Sequence, residues 1–191
     1  MAEHLPELWP EALEITRQIK DEYSRSRALS AMAKHLSETL LPEALEMTRQ
    51  IKDKYSRSRA LSAMAEHLPE LWLEALEITR QIKDESARSM ALSNMAQYLP
   101  EVLLPGAFDT IWAIQDKYYC ANALQGYLPY LGYLSMSFTQ LTDILDILAY
   151  QNRAQLLDAL PQIRPMIIRL GNEQAFSETL KAVRDVCQQW P

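Results

Sequence analysis

Apolar and polar positions along residues 9–36 resolve into two helices. Trp9, Ala12, Thr16, Ile19 and Tyr23 recur at steps of three and four, with Leu8 and Ile15 beside them. That is one apolar stripe at helical period. A second stripe, Ala28, Leu29, Met32 and Leu36, follows a short polar interruption at Asp21–Ser24. Pro10 suits the first helical turn, where its missing N–H costs nothing. Ser24, like Ser56 further on, is a candidate N-cap for the second helix. Lys34 and His35 complement the negative end of the helix dipole. The short connection makes the two helices antiparallel neighbours.

The same pattern then returns. Pro10–Leu36, PEALEITRQIKDEYSRSRALSAMAKHL, recurs almost letter for letter at Pro42–Leu68, more loosely at Leu73–Leu99, and as a faded copy at Pro105–Leu131. The steps are 32, 31 and 32 residues, a period that marks stacked repeats. One helix pair cannot bury both of its stripes alone, so pairs must stack. Ala28, Ala31 and Ala33 keep the second helix slim enough for axes roughly 8–10 Å apart. Each Leu, Ile or Met buried this way contributes about 1.5–3 kcal/mol. The expected fold is therefore all-α, an α-solenoid of antiparallel helix pairs with about 31–32 residues per repeat.

Two regions follow from the copying. Residues 1–131 read as near-identical helical hairpins, and 132–191 as a diverged repeat and helical cap of the same continuous solenoid. Met1–Trp9, MAEHLPELW, repeats Met64–Trp72, so the chain is expected to start within a repeat and to leave an uncapped apolar face. After a break at Gly132–Ser137, Phe138–Tyr150 and Gln151–Leu160 suggest a fifth pair, and Pro161–Leu170 a short helix. Gly171 and Asn172 punctuate. Glu173–Gln189, with Phe176, Leu180, Val183 and Cys187 on one stripe, then suits a terminal cap.

Composition narrows the function classes. The chain is 48% hydrophobic with four glycines in 191 residues, a helix-former's balance. A net charge of −6 argues against nucleic acid, which requires a concentrated basic surface. No apolar run is long enough to span a membrane, and Met1-Ala2-Glu3-His4 has no secretory character. Cys120 and Cys187 lack metal or CxxC spacing; as reduced, packed thiols they point to a cytoplasmic setting.

The units resemble the TPR-like and HEAT-like helical repeats of bacterial, notably cyanobacterial, proteins, through the pattern PEALE..R.I.DE..R..ALSA.A..LPE. The ending is similar too: LLDALPQIRPMIIRLGNEQAFSETLKAVRDVCQQWP, with a Pro-containing helix, a Gly-Asn break and a Trp-Pro finish. Such arrays often form the C-terminal part of signalling NTPases with NACHT or related STAND-type domains. The resemblance implies a sensor or recognition role within a switch protein. This sequence carries no GxxxxGK[ST] loop, so NTPase activity would belong to another portion.

Candidate chemistry is sparse. His4, His35 and His67 occupy one repeat position, but stacking sets equivalent positions on the order of 10 Å apart, too far to share one zinc ion with ligands at about 2 Å. Every repeat carboxylate has copies in equivalent surroundings, unlike a single converging acid–base pair, and no nucleophile signature is present. We expect no catalysis and no cofactor or metal. The charged ladder opposite the apolar stripe is the candidate partner-binding surface: Glu14, Arg17, Gln18 and Asp21; Glu46, Arg49, Gln50 and Asp53; Glu77, Arg80, Gln81 and Asp84. Stacking would align these into columns that clamp a protein or peptide. Within them, Arg17 and Asp21 have ion-pair spacing. A second ladder, Arg25, Arg57 and Arg88, is expected to pair with the Asp21-type residue across the turn. Trp112, Tyr118, Tyr119, Tyr127, Tyr130, Tyr133 and Tyr150 are expected to divide between core and interface. The alternative to a binding scaffold is a structural spacer or an oligomerisation array that self-associates through its uncapped N-terminal repeat.

Overall fold

The structure, a computed structural model, describes residues 6–151 and 153–189. Its regular elements are all helical among these residues. Three helix pairs come first: α1 (Trp9–Gln18) with α2 (Glu22–Met32), α3 (Leu41–Arg49) with α4 (Lys54–Ala65), and α5 (Leu71–Arg80) with α6 (Glu85–Met95). They are followed by α7 (Leu104–Trp112), α8 (Lys117–Gln125), α9 (Phe138–Gln151) and α10 (Arg153–Gln189).

The starts and stops have local causes. Pro10, Pro42 and Pro105 sit in the first turn of α1, α3 and α7, as expected. The caps of the second helices are aspartates, not serines. Asp21 and Asp53 each accept the backbone N–H of Ser24 or Ser56 at 2.7 Å, and Asp84 accepts that of Ala87 at the same distance. A carboxylate three residues earlier satisfies the orphan N–H better than the serine could, because it adds charge complementary to the helix start. Hydrogen bonding from Ser24, from its side chain first and its backbone N–H second, correspondingly lowers the Asp21 pKa below its ordinary value. The first helix also stops sooner than its stripe suggests. Ile19 has left helical geometry, with ψ at 115°, and Tyr23 therefore belongs to the first turn of α2.

The chain divides into two compact units, 1–114 and 115–191. In the first, each pair packs internally, α2 packs on α4, α4 on α6, and α4 also lies against α5. Burial follows the two expected stripes in the inner pairs: Ala44, Ile51, Ala60, Leu61 and Met64 are fully enclosed. Thr48 and Thr79 are also buried. Each donates to the carbonyl four residues back, at 2.9 and 2.8 Å, and meets the sulfur of Met64 or Met95 across its own pair. A threonine there can be buried because its hydroxyl is satisfied within the helix. Ile15 and Tyr23 depart from expectation in lying exposed.

In the second unit α9 packs against α8 and α10, and a 3₁₀ turn, Leu128–Tyr133, lies against α10. Its core includes Tyr127, Leu131, Leu141, Ile144, Leu148, Ile163 and Met166. Burial, with Tyr130 as a lesser cause, raises the Tyr127 pKa. The short helix expected to start at Pro161 is instead the middle of α10, which carries both Pro161 and Pro165. The apolar face through Ala159, Leu160, Ile163, Met166 and Ile167 stays buried across both prolines, and that packing offsets the lost backbone bonds. The true break is at Asn172, φ 78° and ψ 176°. Its Oδ1 accepts the N–H groups of Gln174 and Ala175 at 2.9 and 3.2 Å, recapping the last helical segment. Gly171 is required beside it, since a Cβ there would lie 2.8 Å from that of Ala175. The side chains of Val183 and Cys187 lie outside the described residues, as does His4.

Candidate partner-binding surfaces

The charged ladder of the first helices lies on the surface, but its arginines are already engaged by glutamates. Arg17 pairs with Glu14 at 3.7 Å and with Glu43 of the next pair. Arg49 pairs with Glu46 at 3.4 Å and donates Nε and Nη2 to the two oxygens of Glu74, at 3.1 and 2.8 Å. Those bonds to Glu74 hold its guanidinium pKa above the ordinary value. Arg80 pairs with Glu77 at 3.0 Å. The expected Arg17–Asp21 pair does not form, because the aspartates turn inward as caps. Gln18 and Gln50 are exposed, and Gln81 accepts from Lys54 at 3.2 Å. The ladder is thus a chain of ion pairs along consecutive layers, each exposed enough to be worth little by itself.

The second arginine ladder does join the two helices of a pair, through a different acceptor. Arg57 donates Nε to the Ile51 carbonyl at 2.7 Å; Arg25 and Arg88 donate Nη1 to the carbonyls of Ile19 and Ile82 at 3.3 and 3.1 Å. Asp21-type carboxylates are occupied at the helix start, so the arginine instead satisfies a carbonyl left open where the first helix ends. Arg25 and Arg88 add ion pairs to Glu22 and Glu85. Arg88 also reaches the Ala113 carbonyl at 3.2 Å.

A carboxylate fixes the next turn along. Glu22 accepts the N–H groups of Lys52 and Asp53 at 3.1 and 2.7 Å, binding α2 to the loop between α3 and α4. These two bonds lower its pKa.

A cavity of about 390 Å³ opens on the second-helix side. Tyr23 and Ser30 line it from α2, Tyr55, Ser58, Arg59 and Ser62 from α4, and Met90 and Asn94 from α6. The Ser30 and Ser62 hydroxyls each donate to the carbonyl four residues back at 2.8 Å, leaving their lone pairs for an incoming donor. At one end the Arg59 guanidinium lies over the Tyr23 ring, 5.6 Å from its centroid, and donates to the Tyr23 hydroxyl at 3.4 Å. The lining is a run of repeat-equivalent positions: Tyr23 with Tyr55, Ser30 with Ser62, and Arg59 with Met90. Sequence reasoning missed this groove. Its signal was the short side chains of SRSRALSA, which keep the second helix narrow on more sides than core packing alone requires.

Of the histidines, His35 stacks on Trp9 with centroids 5.0 Å apart, and His67 is exposed. Among the described residues no group of His, Cys, Asp and Glu could hold a metal ion. No described helix is long and apolar enough to cross a membrane. The late aromatics divide: Tyr127 is core, whereas Tyr118, Tyr133 and Tyr150 are exposed. Cys120 is buried in α8, at the repeat position that carries arginine in the earlier copies. Comparison with protein-family models finds no match, and neither do comparisons with curated proteins and with solved structures.

Proposed function

We propose that the chain is a non-catalytic scaffold, an α-solenoid of TPR-like or HEAT-like helix pairs that holds an extended segment of a protein or peptide. One observation carries this reading: the groove that three consecutive second helices form from repeat-equivalent residues. An extended peptide offers N–H donors and C=O acceptors along its length. The groove answers with the Ser30 and Ser62 lone pairs, the Arg59 guanidinium and the Asn94 amide, with Tyr55 and Met90 as apolar contacts. The ladder from Glu14 to Asp84 is the second proposed contact surface, favoured by the exposure of Arg17, Arg49 and Arg80. In this reading the array is cytoplasmic and runs through residue 131, with residues 132–191 as its diverged end, and it serves as the sensing part of a STAND-type NTPase, the role that the sequence resemblance implies.

The test is a display library of short unstructured peptides selected on the whole chain. Selected peptides are then measured against two variants: Met90→Arg with Asn94→Trp, both exposed groove positions, and Arg17→Glu with Arg49→Glu and Arg80→Glu. Groove binding predicts at least a roughly tenfold affinity loss in the first variant and little change in the second. The reverse result assigns capture to the ladder. Peptides indifferent to both variants, or no selectable binders, reject peptide capture by these surfaces.

A further inference from the structure

The first helix pair exposes a face that the second pair keeps covered, although the two carry nearly the same residues. Ala44, Met47, Thr48, Ile51, Ser56 and Ala60 are all buried, with α1 and α2 as the preceding layer. At the matching positions of the first pair, Ile15 is 59% exposed against 5% for Met47. Ser24 is exposed, Ala12, Ile19 and Ala28 are only half-buried, and Thr16 alone of the six stays buried. Leu8, beside them, is also exposed.

Polar groups on this face are matched just as specifically. Glu43 and Glu74 each accept an arginine of the layer before, Arg17 and Arg49. Glu11 holds the same repeat position, is exposed, and has no ion pair among the described residues. The Lys52–Asp53 turn donates its backbone N–H groups to Glu22. Its counterpart, Lys20–Asp21, faces no such carboxylate among the described residues and is exposed.

We propose that this face docks one further helix pair of the same repeat chemistry, supplied from outside this sequence. The interface between the first two pairs already specifies the occupant. It carries an arginine opposite Glu11, and a glutamate five positions further on opposite the Lys20–Asp21 turn, the spacing of Arg17 and Glu22. Apolar side chains lie between them, against Ile15, Ile19 and Ala28. A second copy of this chain does not fit. Its own Arg17 and Glu22 are engaged by its second pair, and Arg49 by Glu74.

The experiment adds a copy of Pro10–Ala31 directly ahead of Met1 in the full chain. Because Met1–Trp9 repeats Met64–Trp72, this fusion continues the repeat in register. Docking predicts a melting temperature higher by roughly 5 °C and amide exchange at Lys20 and Asp21 slowed roughly tenfold or more. Arg17→Glu with Glu22→Lys in the added copy should remove the protection of those two amides. Unchanged melting and exchange in the fusion would overturn the proposal. So would a dimer of the unextended chain that protects Ile15, since that assigns the face to a second copy. Neither readout involves a peptide in the groove, so the docking face stands or falls independently of peptide capture.

Discussion

Arg49 donates two hydrogen bonds to Glu74, at 3.1 and 2.8 Å, and so ties the first helix of one pair to the first helix of the next. Arg17 and Glu43 repeat the link one layer earlier. The third link is missing: Arg80 has Gly106 at the position of Glu43 and Glu74. A Cβ on Gly106 would meet Leu76 Cδ2 at 3.4 Å and Arg80 Nη2 at 3.6 Å, ordinary contact distances. Gly106→Ala should therefore stabilise the chain by about 0.5–1 kcal/mol through backbone entropy. Gly106→Glu should add a few tenths of a kcal/mol that disappear at high salt. Urea titration at two ionic strengths reads both effects. A destabilised alanine variant would mean that Leu76 cannot accommodate the added methyl.

The arginines inside the pairs are expected to matter more than those on the surface. Arg57→Met leaves the Ile51 carbonyl without its 2.7 Å partner and should cost about 1.5–3 kcal/mol. Lys52→Met changes an exposed side chain and should stay within about 0.5 kcal/mol. Thermal unfolding of the two variants decides. Equal losses would remove the helix-joining role assigned to Arg57.

The link from Glu22 to the next turn should appear as a pH dependence. Its pKa is lowered from an ordinary 4.5 by the N–H groups of Asp53 and Lys52, so its ionised form stabilises the fold. That contribution is complete above the unfolded-state value and is lost as pH falls through the lower folded-state value. Glu22→Gln should thus be less stable than the parent at pH 7, and the gap should close on acidification below about 4.5. Melting curves from pH 7 to about 3 test it. A gap that is constant with pH would show that the charge contributes nothing.

Much of the helical layout was legible because periodicity is set by local geometry. The stripes of Ala44, Ile51, Leu61 and Met64 and the first-turn prolines needed only the 3.6-residue repeat. What escaped was the choice between competing local partners. Asp21, Ser24, Arg17 and Arg25 lie within one short stretch, and several pairings among them satisfy sequence spacing. Only the backbone path decides that Asp21 caps the helix, and that Arg25 reaches the Ile19 carbonyl. Pro161 misled for a related reason: a proline reads as a boundary locally, while Leu160 and Ile163 are held by tertiary burial. The groove escaped because it has no motif of its own. It arises where Ser30, Ser62 and Asn94 leave space on three adjacent helices, a property of their stacking rather than of any one repeat.

Stacking is itself open to a direct comparison of Ile15→Ala with Met47→Ala by urea unfolding. The two residues share a repeat position and an apolar character, and differ in whether a preceding pair covers them. We expect Met47→Ala to cost about 2–5 kcal/mol, and Ile15→Ala to fall within about 0.5 kcal/mol of the parent. Equal losses at the two sites would contradict the view that each helix pair completes its core with the pair before it.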